Sequence, residues 1–198
     1  MGERLQRIGK EVLLVGVLAL ILFSARSSLA DHYIVPTSSM EYTLMPGDRV
    51  LVNKTAYGLR VPFLKWQLTR GDQPGVGEIV VFDSPETGKR LIKRVVAVGS
   101  DTIEVRDGHL FLNGENMALP QDPSIETLGT HRALLNLSRP GGNYPVQQIP
   151  SGYVLVMGDF RGNSHDGRIF GFIPETAIYG RAVAVFLRRN EGLVWRPL

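Results

Sequence analysis

A stretch of 15 residues, PTSSMEYTLMPGDRV, is dense in hydroxyl side chains. It spans residues 36–50 and contains Thr37, Ser38, Ser39 and Thr43. A hydroxyl group is a weak nucleophile until a neighbouring base takes its proton. The stretch is therefore either a polar linker or a loop that carries a nucleophile, and the choice depends on whether the chain supplies a base.

Histidine is the usual base in such a site, and the chain has four of them: His32, His109, His131 and His165. None lies in a recognisable triad signature, and no G-x-S-x-G elbow is present. Cysteine is absent, which excludes disulfides, thiolate metal ligands and a cysteine nucleophile. Because no histidine has the spacing of a metal ligand, we expect neither a metal nor a cofactor.

Lysine can replace histidine as the base if burial keeps its amine neutral. The segment RLIKRVVAV, residues 90–98, places a lysine inside an apolar strand pattern. With a period of two residues, Lys93 shares a face with Leu91 and Val95, and Arg94 points to the other face. The alternative is a snorkelling surface lysine on an edge strand. On this segment alone the alternative is the better explanation, because buried lysines are rare.

A third polar segment, GDFRGNSHDGR, follows the apolar run YVLVM near the C-terminal end of the chain. It carries four charges of alternating sign: Asp159, Arg161, Asp166 and Arg168. Such a loop can cross-link itself through charge-assisted hydrogen bonds. A solvated polar loop without a special role is the alternative.

Taken in order, these three segments resemble the type I signal peptidases, membrane-bound Ser-Lys proteases that remove signal peptides. Residues 36–44 read PTSSMEYTL, where that family has P-S/T-x-S-M-x-P-T-L. Residues 93–97 read KRVVA against K-R-V/A-x-G, and residues 158–168 read GDFRGNSHDGR against G-D-N-R-x-N-S-x-D-S-R. The resemblance spans nearly the whole chain.

The resemblance implies a role for four of these residues. Ser39 would be the nucleophile and Lys93 the general base. Thr37 falls where the family has a hydroxyl oxyanion donor, and Ser164 falls where a second hydroxyl orients the lysine. Ser38 is expected to be a turn hydroxyl without a catalytic role.

Five positions depart from the family pattern. Tyr42 replaces the usual proline after Ser-Met, and Ala97 stands where glycine is common. Phe160, Gly162 and Gly167 replace Asn, Asp and Ser in the last segment. The residues implied in chemistry are intact, so the departures concern how the nucleophile loop is held and whether the enzyme is a general one or a relative specialised for pilin-like substrates.

The resemblance also implies a substrate: a signal-peptide-bearing preprotein, cut after small residues at the minus-one and minus-three positions. An extended peptide can add backbone hydrogen bonds to strand edges near the site. The implied walls of narrow apolar pockets are Val35, Met40, Leu44, Val50, Val80, Leu91 and Ile92, although each is equally well explained as a core residue. Residues 57–66 are rich in apolar and aromatic side chains and form either a membrane-facing segment or part of the core.

The rest of the pattern predicts β structure that positions these residues. Strands are expected at residues 49–54, 77–85, 90–98, 102–115, 153–159 and 180–189. Asp107-Gly108 and Asn113-Gly114 are hairpin-turn signals. Residues 107–150 read as an inserted lobe of strands and loops. The expected fold is mainly β, an antiparallel sandwich or partial barrel with this lobe, behind one N-terminal transmembrane helix.

The apolar run from Val12 to Phe23 predicts that helix. It has 12 residues without a polar side chain, and a full span needs about 20. Residues 12–25 can still form an anchor if the flanking charges reach the head groups. Residues 1–11, with three basic side chains, would then stay in the cytoplasm, and the peptidase domain, residues 31–198, would lie outside. A cleaved signal peptide ending at Ser28-Leu29-Ala30 is the alternative.

Three other functions are compatible with parts of this pattern. A dedicated pilin or conjugation peptidase would use the same residues on one narrow substrate. A self-cleaving Ser-Lys regulator usually carries a DNA-binding domain, for which the chain before Ser39 is too short. A membrane-anchored β binding module would need no catalysis.

The net charge of +3 is scattered and predicts no nucleic-acid partner. The expected location is the bacterial inner membrane, with the lipid bilayer as a partner and the catalytic domain on the periplasmic face.

Overall fold

The computed structural model describes residues 30–58 and 71–198, together with residues 11, 13–16 and 69. No helix among these residues is long and apolar enough to cross a membrane. Most of the predicted anchor, residues 12–25, lies outside the described residues, as does most of the apolar segment 57–66. Both therefore remain predictions.

Antiparallel β structure dominates the described chain, as the sequence predicts. The strands are Ala30–Ile34 (β1), Arg49–Asn53 (β2), Ile79–Asp83 (β3), Arg90–Val98 (β4), Thr102–Arg106 (β5), His109–Leu112 (β6), Glu115–Asn116 (β7), Ala118–Leu119 (β8), Asp122–Leu128 (β9), His131–Leu134 (β10), Tyr144–Gln148 (β11), Tyr153–Met157 (β12), Ile173–Pro174 (β13), Ile178–Arg188 (β14) and Gly192–Pro197 (β15). Within residues 30–58 and 71–198, helical structure is limited to the α-helix Gly167–Phe170 (α1) and three 3-10 turns.

The largest sheet has eight strands in the order β1-β2-β14-β3-β4-β12-β13, with β15 also paired to β14. Strand β4, which carries Lys93, lies between β3 and β12. It is therefore a central strand, and the alternative of a lysine on an edge strand is wrong. Neighbouring strands pair with both edges of β4, and because residues 93–97 are all buried, other parts of the protein also cover both faces of the strand there.

Two smaller sheets, β10-β9-β8 and β11-β5-β6-β7, lie between β4 and β12 in the chain. Asp107-Gly108 joins β5 to β6, and Asn113-Gly114 joins β6 to β7. All four turn residues have positive φ values, between 49° and 86°. Two consecutive positive φ values are the geometry that Asn-Gly and Asp-Gly turns favour, so both hairpin predictions are confirmed.

Three clusters of buried apolar residues form the core. One of them packs beneath the hydroxyl-rich stretch and includes Val35, Met40, Leu44 and Val50. Burying a side chain of this size contributes about 1.5–3 kcal/mol. These residues thus hold the segment around Ser39 against the large sheet.

Candidate active site

Ser39 lies in the loop between β1 and β2, in the 3-10 turn Ser38–Met40. Backbone hydrogen bonds close the loop at its base, from Val35 N to Asp48 O at 2.9 Å and from Gly47 N to Val35 O at 2.8 Å. Met40 is fully buried next to Ser39. The loop is therefore fixed on both sides of a serine that is itself only 8% exposed.

Lys93 points from β4 to the same place. Its side chain is 3% exposed, and its Nζ lies 2.5 Å from Ser39 Oγ. Burial lowers the pKa of Lys93 to about 8, although the carboxylates of Asp166 and Asp159 act against this shift. A buried lysine with a lowered pKa can be a neutral amine at mildly alkaline pH, and a neutral amine can accept a proton from a hydroxyl.

The other hydroxyls of the stretch have different surroundings. Thr37 is exposed, and its Oγ1 donates a long hydrogen bond of 3.4 Å to Ser39 Oγ. Ser38 Oγ accepts a bond of 2.9 Å from Asn163 Nδ2. Thr43 Oγ1 donates to Asp159 Oδ2 at 2.5 Å, away from Ser39. Among these three, only Thr37 shares a hydrogen bond with Ser39.

Ser164 lies beside the pair, since it lines the same cleft as Ser39 and Lys93. Its Oγ is buried and makes no hydrogen bond of normal geometry, either to Lys93 or to another described residue. The pKa of Asp166 is nevertheless lowered. Burial alone would raise this pKa, but Arg168 lowers it most, and Ser164 contributes to the lowering. Ser164 and Lys93 thus line the same cleft, but no hydrogen bond joins them.

Gly158 explains how closely these parts pack. A Cβ at this position would overlap both Ser164 Oγ and the carbonyl oxygen of Ser39. Only glycine therefore allows the start of the polar loop to reach the nucleophile segment. Phe160 N then donates a hydrogen bond of 3.1 Å to Ser39 O, which ties the two segments together.

One charged pair cross-links the polar loop internally, as predicted. Asp166 accepts hydrogen bonds from Arg168 Nε and Nη2, at 2.9 and 2.8 Å, and from Gly158 N at 2.9 Å. The Arg168 guanidinium also donates to the carbonyl of Arg161 at 2.6 Å. This pair fixes the conformation of the loop beneath Ser164.

The other two charges, Asp159 and Arg161, pair with residues outside the loop, which the sequence did not predict. Asp159 accepts two bonds from the Arg94 guanidinium, at 2.9 and 2.8 Å, and both side chains are at most 2% exposed. Arg161 forms a fully buried pair with Glu126 of β9. The loop is thus bound to β4 on one side and to a smaller sheet on the other.

Two cavities meet at Ser39 and Lys93. An open cleft of about 800 Å³ is lined by both residues and by Thr37, Ser38 and Ser164. A smaller cavity of about 150 Å³ shares Ser39 and Lys93 and is walled by Tyr33, Ile34, Val81, Leu91 and Ile92. A peptide that entered the cleft could place a carbonyl carbon near Ser39 Oγ and a small side chain in the apolar cavity.

A comparison with known families agrees with this geometry. Residues 8–187 match the model of the family described as "Signal peptidase, peptidase S26".

The chain belongs to this signal peptidase family.

Individual relatives give the same result. The chain is 32% identical to "Signal peptidase I" of Pseudomonas fluorescens, an alignment that covers 94% of this chain and 77% of that protein. It is 33% identical to "Signal peptidase I T" of Bacillus subtilis (strain 168), covering 92% and 86% of the two chains. A crystal structure of a signal peptidase I from Enterococcus faecalis V583 aligns with a TM-score of 0.41 at 23% identity, over 56% of this chain and 97% of the other.

The peptidase is therefore a serine endopeptidase, a hydrolase that processes signal peptides. The alternative of a non-catalytic binding module does not fit this family.

Two departures from the family pattern, Gly162 and Gly167, have a structural explanation in this signal peptidase. A Cβ at Gly162 would overlap the backbone of Arg139, and a Cβ at Gly167 would lie 2.6 Å from the side chain of Leu155. Each glycine is therefore required by a close neighbour. Phe160 is 9% exposed, and nothing in the structure explains why phenylalanine stands at this position.

Only part of the expected pocket wall lines a cavity in the signal peptidase. Leu91 and Ile92 line the small apolar cavity. The remaining five residues are buried core residues that line neither cavity beside Ser39: Val35, Met40, Leu44, Val50 and Val80. The structure instead puts Tyr33, Ile34 and Val81 on the wall, residues that no motif marked.

Arg94 and Glu126 were also not assigned a role from sequence, although each binds a charge of the polar loop. Arg94 adjoins Lys93 in the K-R motif, so the motif itself could have marked Arg94 as a residue of the site. Glu126 lies in β9, where the sequence shows no clear periodicity, and 35 residues separate it from Arg161, so no local pattern could have linked the two.

Proposed function

We propose that this protein removes signal peptides from exported preproteins by a Ser-Lys mechanism, with Ser39 as the nucleophile and Lys93 as the general base. The observation that carries the proposal is the distance of 2.5 Å between Ser39 Oγ and a buried Lys93 Nζ. The pKa of about 8 for Lys93 supports it, because a base works best when its pKa lies near the working pH.

The acylation step follows from these two groups. The neutral Lys93 amine takes the Ser39 proton as Oγ attacks the carbonyl carbon of the scissile bond. The carbonyl electrons move onto oxygen, and the tetrahedral intermediate then expels the amine of the mature chain, which receives the proton from Lys93. The product of this step is an ester between Ser39 and the signal peptide.

The oxyanion would be held by two donors, the Thr37 hydroxyl and the Ser39 backbone N–H. The Ser39 amide lies in the first turn of a 3-10 helix, where N–H groups have no partner within the helix. One donor of this kind is typically worth about 3 kcal/mol of transition-state stabilisation. Lys93 would then activate the water that hydrolyses the ester.

The surrounding hydrogen-bond network would keep the Lys93 amine aligned with the Ser39 hydroxyl. Arg94, the neighbour of Lys93, binds Asp159, and the loop that begins there binds Ser39 O through Phe160 N. The pair of Asp166 and Arg168 would fix the conformation of the loop that carries Ser164. We assign these charged residues a positioning role.

The remaining parts of the proposal concern location. We propose that residues 12–25 anchor the protein in the inner membrane, with residues 1–11 in the cytoplasm and residues 31–198 as a periplasmic domain with a lobe at 107–150. The basic flank Arg4, Arg7 and Lys10 supports this orientation. An anchored enzyme shares the plane of the bilayer with its substrate, which raises their local concentration.

The test is cleavage of a synthetic signal-peptide substrate by the full chain. The protein is expected in the membrane fraction of expressing cells, and after detergent extraction it should cut the peptide at one bond, after a small residue. Mass spectrometry of both products identifies that bond. No cleavage of several unrelated signal peptides, or cleavage of a pilin-type peptide alone, would contradict a general signal peptidase.

Activity should depend on pH through Lys93. Because the neutral amine is the active form, we expect kcat/KM to fall about tenfold per pH unit below a midpoint near the Lys93 pKa of about 8, and to level off above it. A pH series on one peptide measures this profile. A midpoint near the usual histidine pKa of about 6.5 would instead indicate a histidine base.

Removal of the Thr37 hydroxyl should lower the rate without weakening substrate binding. Thr37→Val keeps the side-chain shape and deletes the proposed oxyanion donor, so we expect a loss of about 100-fold or more in kcat with little change in KM. Ser38→Ala is the matched control, because the Ser38 hydroxyl bonds to Asn163 and not to Ser39. Equal losses in both variants would mean that the oxyanion donor is misassigned.

A further inference from the structure

One polar side chain of the catalytic cleft has no part in the proposed mechanism. His165 follows Ser164 in the polar loop and lines the cleft of about 800 Å³ together with Ser39 and Lys93. It does not belong to the wall of the small apolar cavity. A peptide that occupies the cleft would therefore meet His165 with a side chain that lies outside the apolar cavity.

A carboxylate from a separate part of the fold holds the His165 ring. Its Nε2 lies 2.7 Å from Glu86 Oε2. Glu86 belongs to the turn between β3 and β4, in which Ser84 N donates to Lys89 O at 2.8 Å and Ser84 Oγ accepts a bond of 3.2 Å from Thr87 N. Because these bonds order the turn, Glu86 meets the polar loop in a defined position.

Aromatic packing holds the same ring from a second direction. The centroid of the Phe170 ring in α1 lies 5.8 Å from that of His165, and the centroid of the Phe82 ring in β3 lies 6.1 Å from that of Phe170. Phe82 is fully buried, so this row of rings begins in the core. A side chain that is already held by two contacts loses little further freedom when it binds a ligand.

The contact with Glu86 also determines which ring nitrogen of His165 carries the hydrogen. An ionised carboxylate only accepts hydrogen bonds, so Nε2 must be the donor. In the neutral imidazole, Nδ1 is then an acceptor. No residue in the described part of the chain is hydrogen-bonded to Nδ1, and the side chain is 55% exposed. His165 thus brings an unused hydrogen-bond acceptor to the cleft.

The alternation of an extended peptide indicates which substrate side chain meets this acceptor. Successive side chains of an extended chain point to opposite sides. If the small side chains at the minus-one and minus-three positions face the apolar cavity, the minus-two side chain points away from it. Leu91 and Lys93 adjoin both the apolar cavity and the cleft, whereas His165 adjoins the cleft alone of these two. The minus-two side chain is thus directed to the side of the cleft that includes His165.

We propose that His165, oriented by Glu86, is a specificity-determining residue that accepts a hydrogen bond from the substrate side chain at the minus-two position. The site then favours a hydroxyl or amide donor at that position over an apolar side chain of similar shape. The inference rests on the proposed function, since attack by Ser39 defines the substrate positions. It adds a polar preference between the two positions that require small residues.

The test uses peptides that differ only at the minus-two position, as two matched pairs: Thr with Val, and Gln with Met. We expect kcat/KM to be about fivefold higher for the donor in the pair whose length suits the ring, as one net hydrogen bond would give. The full chain in detergent cuts each peptide at one pH above the Lys93 pKa of about 8. Mass spectrometry confirms that the same bond is broken.

Two variants connect the preference to the ring. His165→Phe keeps an aromatic ring and removes both nitrogens, so the ratio of kcat/KM between donor and apolar peptide should fall to about one. Glu86→Ala releases the ring and should lower the same ratio. His32→Phe is the matched control, because His32 is exposed in β1 and lines neither the cleft nor the apolar cavity. It should leave the ratio unchanged, and thermal unfolding checks that each variant is folded.

The outcomes separate this proposal from the proposed function. Equal kcat/KM within both pairs, with every peptide cleaved, would overturn the role of His165 and leave the proposed function intact. A ratio that persists in folded His165→Phe would also overturn it, and if that variant does not fold, a ratio that persists in Glu86→Ala does so. Failure to cleave any of the peptides would overturn the proposed function, and the role of His165 with it.

Discussion

Ser39→Ala and Lys93→Ala are each expected to abolish cleavage, with a loss of roughly 10⁴-fold or more in kcat. The first change removes the attacking oxygen, and the second removes the only described amine within hydrogen-bonding distance of it. Lys93→Arg should not restore activity, because a guanidinium group does not lose its proton at usable pH. Initial rates on one synthetic signal peptide, measured with the full chain in detergent, provide the comparison.

Lys89→Ala is the matched control for the lysine variants, because Lys89 is exposed and lies four residues before Lys93. It should retain the activity of the unchanged protein. Loss of the buried Lys93 amine removes a group that is costly to bury, so Lys93→Ala should remain folded in a thermal unfolding experiment. Substantial cleavage by a folded Ser39→Ala or Lys93→Ala protein would rule out the Ser-Lys mechanism.

The sequence could predict the proposed dyad because two independent patterns point to the same residues. Alternation along residues 90–98 puts Lys93 on an apolar face, and the motif order puts it with Ser39. The burial of Lys93 was harder to predict, since an isolated strand pattern does not say whether a strand is central or at an edge. Pairing with β12, which is distant in sequence, decides that point.

The pocket walls could not be predicted in the same way. A pocket for small apolar side chains and a hydrophobic core use the same residue types, so composition cannot separate them. Met40 and Leu44 fix the Ser39 loop from below by pointing into the core, whereas Ile34 is 58% exposed at the end of a strand. Strand β1 itself was missed, because it is short and carries polar residues.

Among the single substitutions proposed here, Asp159→Ala is expected to lower the free energy of unfolding most, because it leaves the Arg94 guanidinium buried without its carboxylate. Arg94 is 2% exposed and Asp159 is 1% exposed, and two hydrogen bonds join them. Removing one partner of a buried pair typically costs about 3–5 kcal/mol, since the remaining charge is neither solvated nor neutralised. Denaturant unfolding of the full chain in detergent measures the change. Glu191→Ala, which breaks the exposed pair with Arg196, is the control and should change little.

The double variant Arg94→Met/Asp159→Leu then separates stability from positioning. It removes both charges and keeps apolar volume, so the free energy of unfolding should return close to that of the unchanged protein. Activity should stay low, because the variant would lose the hydrogen bonds between β4 and the polar loop. Those bonds keep the Lys93 amine aligned with the Ser39 hydroxyl. Recovery of both stability and kcat would show that the pair serves the fold alone. A stable double variant with a lowered kcat and an unchanged KM would instead identify Arg94 and Asp159 as positioning residues, because Lys93 would lose its alignment with the Ser39 hydroxyl. The pH midpoint should move down in this variant, since the Asp159 carboxylate would no longer raise the Lys93 pKa.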